Sequence, residues 1–420
     1  MRMLRKVVKL AGSTALAGFA SGVIAGGFAI GTQSGSATGN AFSGGAAAAE
    51  DASVVWYNPA AMTALPSGKH VGVALHAVKP SFKFANTGST GAFASSGTGE
   101  GGDAGDWAYI PNSFAAADIG RGWHVGVAVN APFGLATHYD EGWRGQLTAL
   151  KSKIISVNIN PSVAYRISDT LSVGAGVSVQ KLQAELSSFS GVAALGNVTL
   201  RADDIGFGFN LGMLFQATPS TRFGVSYRSP IKYVLGGNAS FSGVAGAASN
   251  GDVKAELKVP ETLSFSAFHA LGRSWEFMAD ITRTGWDSVQ QLQVVRTTTS
   301  AGGAAGSTFT SLPFEWKDTW RFGVGANYKV NDALKLRFGL AHDETPTKDS
   351  TRTPRLPDED RTWVAAGFQY KLAKSGVLEV GYAHEFLRDA DINTAVGASR
   401  LVGRFDNKAD IFSVQYSHSF

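Results

Sequence analysis

Basic side chains recur at alternating positions along several stretches of the chain, and a set of this kind can bind an anion. The set consists of Arg222, Arg228, Arg321, Lys329, Lys335 and Arg337. The set forms three pairs, at 222 and 228, at 321 and 329, and at 335 and 337. The two positions of each pair differ by an even number, so both side chains project from one face of an extended strand. If that face lines a lumen, one or two of these cations would hold a ligand carboxylate by charge-assisted hydrogen bonds. We therefore take Arg228, Arg321 and Arg337 as candidate ligand-binding residues.

The same cations admit a second interpretation, which is favoured for most of them. A polar interior is commonly filled by ion pairs, and the sequence offers acidic partners at Glu379, Glu385 and Asp280. In that case most of the cations belong to a network that fills the interior, and few of them contact a ligand.

Catalytic or metal-based chemistry finds little support in the sequence. The eight histidines show neither an HExxH motif nor paired spacing, and the chain has no cysteine, which excludes a disulfide scaffold and a thiolate metal site. Ser417 and His418 are adjacent, so in a strand they point to opposite faces. Glycine-rich pieces such as 174–176 lack the spacing of a nucleotide fingerprint. We predict no catalytic residue, no metal and no cofactor.

The composition and the N-terminus indicate an exported protein rich in apolar surface. Of 420 residues, 44% are hydrophobic and 17% charged, and 26 Phe make a disordered chain improbable. A basic start is followed by an uncharged, apolar stretch at 10–25, which predicts a signal peptide over residues 1–25. Arg2, Arg5, Lys6 and Lys9 account for the formal charge of +4, so the basic balance does not predict a nucleic-acid partner.

Period-two alternation dominates the sequence from residue 69 onward. In the last stretch Phe412, Val414 and Tyr416 alternate with Ser413, Gln415 and Ser417, and similar patterns predict fourteen strands. A soluble β-sandwich alternates in the same way, but the connection lengths separate the two folds. Six predicted connections are tight turns, and they alternate with seven long ones at 85–106, 131–151, 188–201, 236–251, 287–311, 345–358 and 388–408.

Strict alternation of short and long connections with an even strand count is typical of a transmembrane β-barrel. The short turns then face the periplasm and the long loops face the exterior, in the outer membrane of a Gram-negative bacterium. We predict that the following aromatic residues form girdles near strand ends: Trp123, Trp320, Trp363, Tyr165, Tyr227, Tyr370 and Tyr416. The terminal Phe420 is similar to the C-terminal signal that the barrel-assembly machinery reads.

Residues 26–68 do not alternate and are too few to form a domain of their own. We predict a short helix capped near Ser43 and a turn at Asn58-Pro59. A fourteen-stranded barrel is too wide for its own side chains to fill, so this segment is expected to pack inside it as an N-terminal hatch, with the barrel spanning residues 69–420.

The stretch Ala49-Glu50-Asp51-Ala52-Ser53, followed by Tyr57-Asn58-Pro59-Ala60-Ala61-Met62, resembles the hatch of the FadL/TodX family of outer-membrane hydrocarbon channels. The resemblance continues in family order through the blocks at 110–112, 132–135, 160–166 and 356–363. It implies a hatch motif at Asn58, Pro59 and Ala60 inside the barrel and a ligand pocket touched by the extreme N-terminus.

The resemblance also places particular residues at that pocket and in the barrel wall. Gly26-Gly27-Phe28 is similar to the family's mature start, so Phe28 and Ile30 are expected at the pocket. It further implies a kink in strand three that opens the wall sideways, at Pro132, Phe133 and Gly134. Proline cannot donate to a sheet ladder and glycine often marks a bulge, so these residue types suit such a kink.

Together these features predict a passive transporter of hydrophobic compounds, most simply long-chain fatty acids, that releases its substrate laterally. The expected partners are hydrophobic small molecules, outer-membrane lipid and lipopolysaccharide, and the barrel is expected to be a monomer. Uptake of monoaromatic hydrocarbons is the alternative within the same class. An outer-membrane acyl hydrolase would instead require a serine and a histidine within hydrogen-bond reach at the lipid-facing edge. A water-filled porin would require an open lumen.

Overall fold

A computed structural model describes residues 26–372 and 375–420 of the chain. The predicted signal peptide, residues 1–25, lies outside the described residues, as do residues 373 and 374, for which the sequence predicts a tight turn. Within the described ranges, twenty strand segments form one antiparallel sheet that closes between its first and last strands. Six of the strands consist of two segments each, so the barrel has fourteen strands, as the alternation predicted.

The strands are numbered in chain order. They are β1 (Lys69–Asn86), β2 (Ala108–Gly120), β3 (Trp123–Asn130 and Gly134–His138), β4 (Lys151–Arg166), β5 (Leu171–Phe189), β6 (Asn197–Thr218), β7 (Thr221–Arg228 and Ile231–Phe241), β8 (Gly251–Val259 and Thr262–Leu271), β9 (Trp275–Thr284 and Gln291–Arg296), β10 (Thr308–Pro313 and Thr319–Lys329), β11 (Leu334–Asp343), β12 (Arg361–Lys371), β13 (Gly376–Leu387 and Ala390–Val396) and β14 (Ser399–Ser419).

The last predicted long loop is wrong. Residues 388–408 mostly extend the hairpin of β13 and β14, which turns at Gly397, a residue with φ of +59°. The sequence there is rich in charged residues, which suggested a loop. In the structure these charges lie on the outer face, where Arg404 Nε donates to Asp391 at 2.7 Å, while Ile392 and Phe405 are buried on the inner face.

The outward face of each strand carries apolar side chains, as contact with a bilayer requires, and the inward face carries buried side chains. On β6 the outward side chains of Phe207, Phe209 and Leu211 are nearly half exposed, whereas inward Asn210 is fully buried. One predicted girdle residue does not follow this scheme, because Trp363 points inward, where it is buried and packs edge-on against Phe42. Among the described residues, no helix is long and apolar enough to cross a membrane.

The N-terminal segment (residues 26–68) lies against the inner faces of strands on opposite sides of the barrel. It contains the helices α1 (Gly35–Thr38) and α2 (Val54–Tyr57) and a 3-10 helix at Pro59–Ala64. Helix α1 contacts β12, β13 and β14, and the 3-10 helix contacts β4, β5 and β6. The remaining short helical turns lie in the loops, at Ala92–Ser95 (α3) and in 3-10 form at Arg144–Leu147, Ala247–Ser249 and Trp286–Ser288.

The helix predicted near Ser43 does not form, although the run of alanines at 46–49 favours one. Backbone carbonyls in this stretch accept hydrogen bonds from side chains instead. Asn58 Nδ2 donates to Ala46 O at 2.7 Å, and Arg222 Nη2 donates to Ala48 O at 2.5 Å. Contacts with the barrel wall therefore replace the local hydrogen bonds of a helix.

Candidate ligand cavity and lateral window

A cavity of about 210 Å³ lies between the N-terminal segment and the barrel wall. Its lining combines the start of the segment with β3, β5 and β7–β10. Of the residues predicted to bind ligand, Ile30, Arg228 and Arg321 line it, as do Pro132 and Phe133 of the predicted kink. Phe28 and Arg337 are not part of its lining. The cavity thus joins residues that are up to about 290 positions apart in sequence.

Arg228 is the cavity cation that lacks a carboxylate partner within the described residues. Its guanidinium stacks on Trp56, 3.4 Å from the ring centroid. Nη2 donates to Trp56 O at 2.8 Å and Nη1 donates to Ser178 Oγ at 3.2 Å. These contacts fix the side chain in place but leave its positive charge uncompensated, so the site can receive an anion.

Arg321, on the far wall of the same cavity, is neutralised. Its Nη1 donates to both carboxylate oxygens of Asp280, at 3.0 and 3.3 Å, and Nη2 donates to Ala41 O. Asp280 also accepts from Gly44 N at 3.3 Å, which ties the ion pair to the N-terminal segment.

Arg337 lies in a separate network of ion pairs in the lumen. It is 1% exposed, and it pairs with Glu379 through Nη2 at 2.8 Å and with Glu50 through Nη1. Lys335 Nζ bridges Glu50 and Glu276 at 3.1 and 3.0 Å. We call these five residues the ion-pair network. Two carboxylates, Glu50 and Glu379, therefore compensate the positive charge of Arg337.

Phe28 belongs to an aromatic cluster next to the cavity. Its ring lies 5.7 Å from Phe133, 5.0 Å from Trp286 and 5.7 Å from Trp316, measured between centroids. All four rings are less than 10% exposed. We call these four residues the aromatic cluster, and Phe133 is the member of it that lines the cavity.

The barrel wall is interrupted beside this cluster. The two segments of β3 are separated at residues 131–133, where the sequence predicted an irregularity. The first segment pairs with β2 only as far as Val129 and Ser113, and the second pairs only with β4 within the described residues. A backbone hydrogen bond from His138 N to Ala104 O closes the top of the gap. We call the gap between residues 108–112 of β2 and residues 131–137 the lateral window.

Residues 28–33 of the N-terminal segment, the strap, cross this window on the lumenal side. Ile30 N donates to Pro132 O at 2.8 Å and Gly134 N donates to Phe28 O at 2.9 Å, so Ala29 pairs with Phe133 as a short antiparallel bridge. The strap thereby satisfies backbone groups that the interrupted strand leaves without a ladder partner.

Gln33 joins the two edges of the window. Its Nε2 donates to Ala131 O at 3.0 Å and its Oε1 accepts from Asn130 Nδ2 at 2.6 Å, which attaches it to β3. On the other edge, Asn112 Nδ2 of β2 donates to Gln33 O at 2.8 Å. Asn112 in turn lies 3.2 Å from His76 Nε2, whose Nδ1 lies 2.6 Å from Ser413 Oγ.

The predicted hatch motif anchors the N-terminal segment to the wall rather than lining the cavity. Asn58 Nδ2 donates to Met213 O of β6 at 2.9 Å, and Asn58 Oδ1 accepts from Ala60 N at 3.1 Å. Pro59 and Ala60 lie so close to β5 and β6 that a Cβ at Gly174 would come within 2.5 Å of Ala60 N. Two wall glycines, Gly174 and Gly212, make this approach possible.

Sequence reasoning missed Gln33, Asn112, Trp286 and Trp316. An amide or indole in a strand or loop carries no spacing signal, so only the contacts reveal its role. Serine–histidine pairs do occur, between Ser413 and His76 and between Ser419 and His70 at 2.9 Å. The second ring nitrogen of these histidines faces Asn112 and Pro66 O, not a carboxylate. In the described part of the chain, no three acidic or histidine side chains converge as metal ligands would.

Comparisons with known proteins agree with this geometry. The family described as "Outer membrane protein transport protein (OMPP1/FadL/TodX)" matches residues 16–420. A putative outer membrane protein of Neisseria meningitidis is 29% identical over 475 residues, covering 99% of each chain. The long-chain fatty acid transport protein of Escherichia coli K12 is 25% identical, covering 94% of each chain.

Two solved structures share the fold. A Pseudomonas aeruginosa FadL homologue superposes with a TM-score of 0.85 at 24% identity, covering 94% of this chain and all of the other. The Pseudomonas putida toluene transporter TodX superposes with a TM-score of 0.72 at 18% identity, covering 94% and 99% of the two chains.

Proposed function

The chain belongs to the OMPP1/FadL/TodX family of outer-membrane transport proteins, and on this premise we propose that it transports long-chain fatty acids. Members of the family are transporters or channels for hydrophobic compounds, so an outer-membrane location and a hydrophobic cargo follow from the family itself. The choice of an acid as the cargo depends on one observation, the uncompensated Arg228 in the cavity.

An acyl chain and a carboxylate make opposite demands on a binding site. Each buried methylene group contributes about 0.8 kcal/mol, and Ile30, Phe133 and Ile231 offer apolar surface for this in the lining of the cavity. A carboxylate is costly to bury unless a cation meets it. Arg228 supplies that cation, held by Trp56 and Ser178 without a competing acid. The cavity therefore matches a molecule with a long apolar chain and one anionic end.

Arg228→Met tests this assignment. The purified barrel in detergent is titrated with oleate and, separately, with oleyl alcohol, which has the same chain but no carboxylate. Loss of one charge-assisted contact is expected to weaken oleate binding by about 10- to 100-fold, whereas binding of the alcohol should change little. Uptake of labelled oleate by a host that lacks its own transporter should fall in parallel.

Arg222→Met is the matched control. Arg222 also donates to a backbone carbonyl and also stacks on an aromatic ring, Phe268, at 4.3 Å. It does not line the cavity. If both variants bind oleate as the wild type does, or if Arg228→Met weakens the alcohol equally, the carboxylate role of Arg228 is wrong.

Monoaromatic hydrocarbons are the second candidate cargo, and the aromatic cluster is the observation that favours them. The rings of Phe28 and Trp286 each lie within 7 Å of the other three rings, and such a cluster resembles a site for a flat apolar solute. Toluene uptake is measured alongside that of oleate. Entry of toluene alone, with no effect of Arg228→Met, would favour the hydrocarbon.

We also propose that the cargo leaves sideways through the lateral window when the strap withdraws. The strap is held there by two backbone hydrogen bonds and by Gln33, and the cavity reaches Pro132 and Phe133 at the edge of the window. An apolar solute that passes through this gap enters the bilayer without crossing water, which avoids a cost of about 25 cal/mol per Å² of apolar surface.

A reversible crosslink tests the movement of the strap. Ala29 and Phe133 are opposed in an antiparallel bridge without mutual hydrogen bonds, a geometry with Cα atoms about 4.5 Å apart that suits a disulfide. The chain has no native cysteine, so Ala29→Cys/Phe133→Cys forms a single defined bond. We expect the oxidised barrel to lose oleate uptake and the reduced barrel to regain it.

Each single cysteine variant under the same oxidant serves as the control for the substitutions. Full uptake by the oxidised double variant, with the disulfide verified by mass, would contradict withdrawal of the strap. A water-filled porin is tested in the same cells, since it would pass small hydrophilic solutes in both redox states.

Finally, we propose that the barrel is a monomer that the assembly machinery recognises through Phe420. The sheet closes on itself from β1 to β14, so neither terminal strand offers a free edge to another subunit. The side chain of Phe420 is 74% exposed and its backbone pairs with Lys69. Light scattering of the purified protein should give the mass of one chain. Phe420→Ala should lower the amount of folded barrel in the outer membrane.

A further inference from the structure

The outer wall of β4–β7 carries a charged depression of about 400 Å³ near the long-loop end of the barrel. Its lining includes Lys153, Glu185, Arg201, Asp203 and Asn238. These side chains point outward, because the residues of opposite parity on the same strands, such as Leu182 and Tyr233, are buried in the interior. The depression is therefore separate from the transport cavity.

The strand register brings the charges together. Lys153 stands opposite Glu185, Glu185 opposite Arg201, and Arg201 opposite Asn238 on successive strands. In the next row, Asp203 stands opposite Gly236. A Cβ at Gly236 would meet no atom within 4 Å, so the floor of the depression is open to a ligand from outside.

The charges in this region do not balance. Lys151 Nζ and Arg201 Nη2 share Glu185 Oε1 at 3.0 and 3.3 Å, and Lys181 pairs with Asp203 at 3.4 Å. Lys153 has no ion pair or hydrogen bond through its side chain in the described parts of the chain. Lys153 and Arg201 line the depression, and Lys151 and Lys181 lie beside it on the same outer face. These four cations face two carboxylates, so two positive charges remain in this region for an anionic ligand.

The opposite side of the barrel differs at the same level. There Arg404 pairs with both Asp389 and Asp391, and Asp410 accepts from Tyr382 and His384. Residues 388–410 carry four cations and four carboxylates, so the charges of that wall balance in number. The excess of positive charge is therefore a local property of the β4–β7 wall rather than a general feature of the barrel rim.

The position along the strands defines the kind of ligand. Below the charges, outward side chains of β5 and β6 are apolar, and Val177, Phe207 and Phe209 are each about half exposed. A ligand here would place its anionic head beside the cations and its acyl chains along the apolar belt. On the loop side of an outer-membrane barrel, this is the headgroup level of the outer leaflet.

We propose that this depression binds lipid A, with its phosphates held by Lys153 and Arg201. Lipid A carries two phosphates on a disaccharide and several acyl chains, which matches two uncompensated charges above an apolar belt. Arginine and lysine form charge-assisted hydrogen bonds with phosphate oxygens. The proposal goes beyond transport, because none of these residues lines the cavity.

Binding of lipid A to the purified full-length barrel tests the proposal. The protein is freed of lipopolysaccharide in detergent and titrated with bis-phosphorylated lipid A, and complexes are counted by native mass spectrometry. Lys153→Gln/Arg201→Gln is expected to weaken binding by at least about tenfold, since each cation near a lipid surface contributes to headgroup attraction. Arg404→Gln/Lys408→Gln on β14 is the matched control and is expected to bind as the wild type does.

Two further ligands test whether the site recognises the phosphates and whether it prefers lipid A to a phospholipid. Dephosphorylated lipid A should bind at least about tenfold more weakly to the wild type, and phosphatidylglycerol should bind more weakly than lipid A. Equal binding of lipid A by both double variants, or equal binding of dephosphorylated lipid A, would overturn the proposal. Phosphatidylglycerol that binds as tightly as lipid A and loses affinity in the same variant would assign the site to phospholipid instead.

Folding and transport are monitored in the same samples. The variants must show the heat-dependent gel shift of a folded barrel, and if the double variant does not fold, Lys153→Gln alone serves, since its side chain has no partner to lose. Oleate uptake is expected to be unchanged, so failure of this proposal and failure of the transport assignment are distinguishable.

Discussion

Two arginine sites in the lumen are similar in residue type and different in environment. Arg337 lies in the ion-pair network and contacts Glu50 and Glu379, so its charge is fully compensated. Arg228 lies at the cavity and contacts an indole ring, a carbonyl and a hydroxyl, none of which is charged. Both side chains are held firmly, but only the second retains charge that a ligand can use.

The difference shows how one barrel interior serves two purposes. Where acids and bases match, the network joins the N-terminal segment to the wall through Glu50. Where an acid is missing, the fold keeps a cation in a partly apolar cavity. Compensation of charge, rather than the presence of an arginine, therefore separates structural from binding positions.

The largest expected effect is on stability when the network loses its central cation. Arg337→Met leaves Glu50 and Glu379 buried without their main partner, which is expected to cost about 3–5 kcal/mol. Arg228→Met removes no partner of a carboxylate and should cost about 1 kcal/mol. Unfolding by urea in detergent, followed by tryptophan fluorescence, measures both.

A triple variant sharpens this result. If unpaired carboxylates cause the loss, Arg337→Met/Glu50→Gln/Glu379→Gln should recover much of the stability of the wild type. Equal stability of Arg337→Met and Arg228→Met would mean that the two sites do not differ as described.

The next effect is the dependence of stability on pH. Burial alone would raise the pKa of Glu50, but the charges of Arg337 and Lys335 outweigh it and hold the pKa at about 2, against 4.5 in the unfolded chain. A lowered pKa means that the stabilisation is fully present above pH 4.5 and is lost as the pH falls towards 2. The loss is at most about 3 kcal/mol.

Glu50→Gln is expected to remove this part of the acid sensitivity. The measurement is the urea midpoint of wild type and variant between pH 6 and pH 2.5, in which the wild-type curve should fall more steeply below pH 4.5. Parallel curves would show that Glu50 is not linked to the network in this way. Arg228→Met, which leaves Glu50 and its partners unchanged, should follow the wild-type curve.

The smallest expected effect comes from converting the compensated cavity arginine into an uncompensated one. Asp280→Asn removes the charge that neutralises Arg321, so Arg321 should become similar to Arg228. Oleate affinity is then expected to rise by about fivefold, roughly 1 kcal/mol, while affinity for oleyl alcohol stays the same. Unchanged or weaker oleate binding in a folded Asp280→Asn barrel would contradict the role assigned to charge compensation.

Much of the barrel was predictable because its signal is local. Alternation along β6 or β14 reveals which residues face lipid, and turns such as the one at residues 219–220 separate consecutive strands. The hairpin at 390–405 was missed because outward charges on an extended strand look the same in sequence as charges in a loop. The helix near Ser43 was wrong because carbonyls of that stretch accept hydrogen bonds from Asn58 and Arg222, which are distant in sequence.

By itself, the sequence determined the number of strands, most of their inward and outward faces, most of the connection lengths and the presence of a segment that could not fold alone. These properties follow from the two-residue period of a strand and from the absence of water in the bilayer, which act on neighbouring residues. Only the tertiary structure decided which arginine is free to bind. Arg228, Arg321 and Arg337 occupy equivalent positions in the pattern, but their partners come from other strands and from the N-terminal segment. Coulomb interactions and hydrogen bonds depend on distance in space, so the pairing of these charges required the closed barrel.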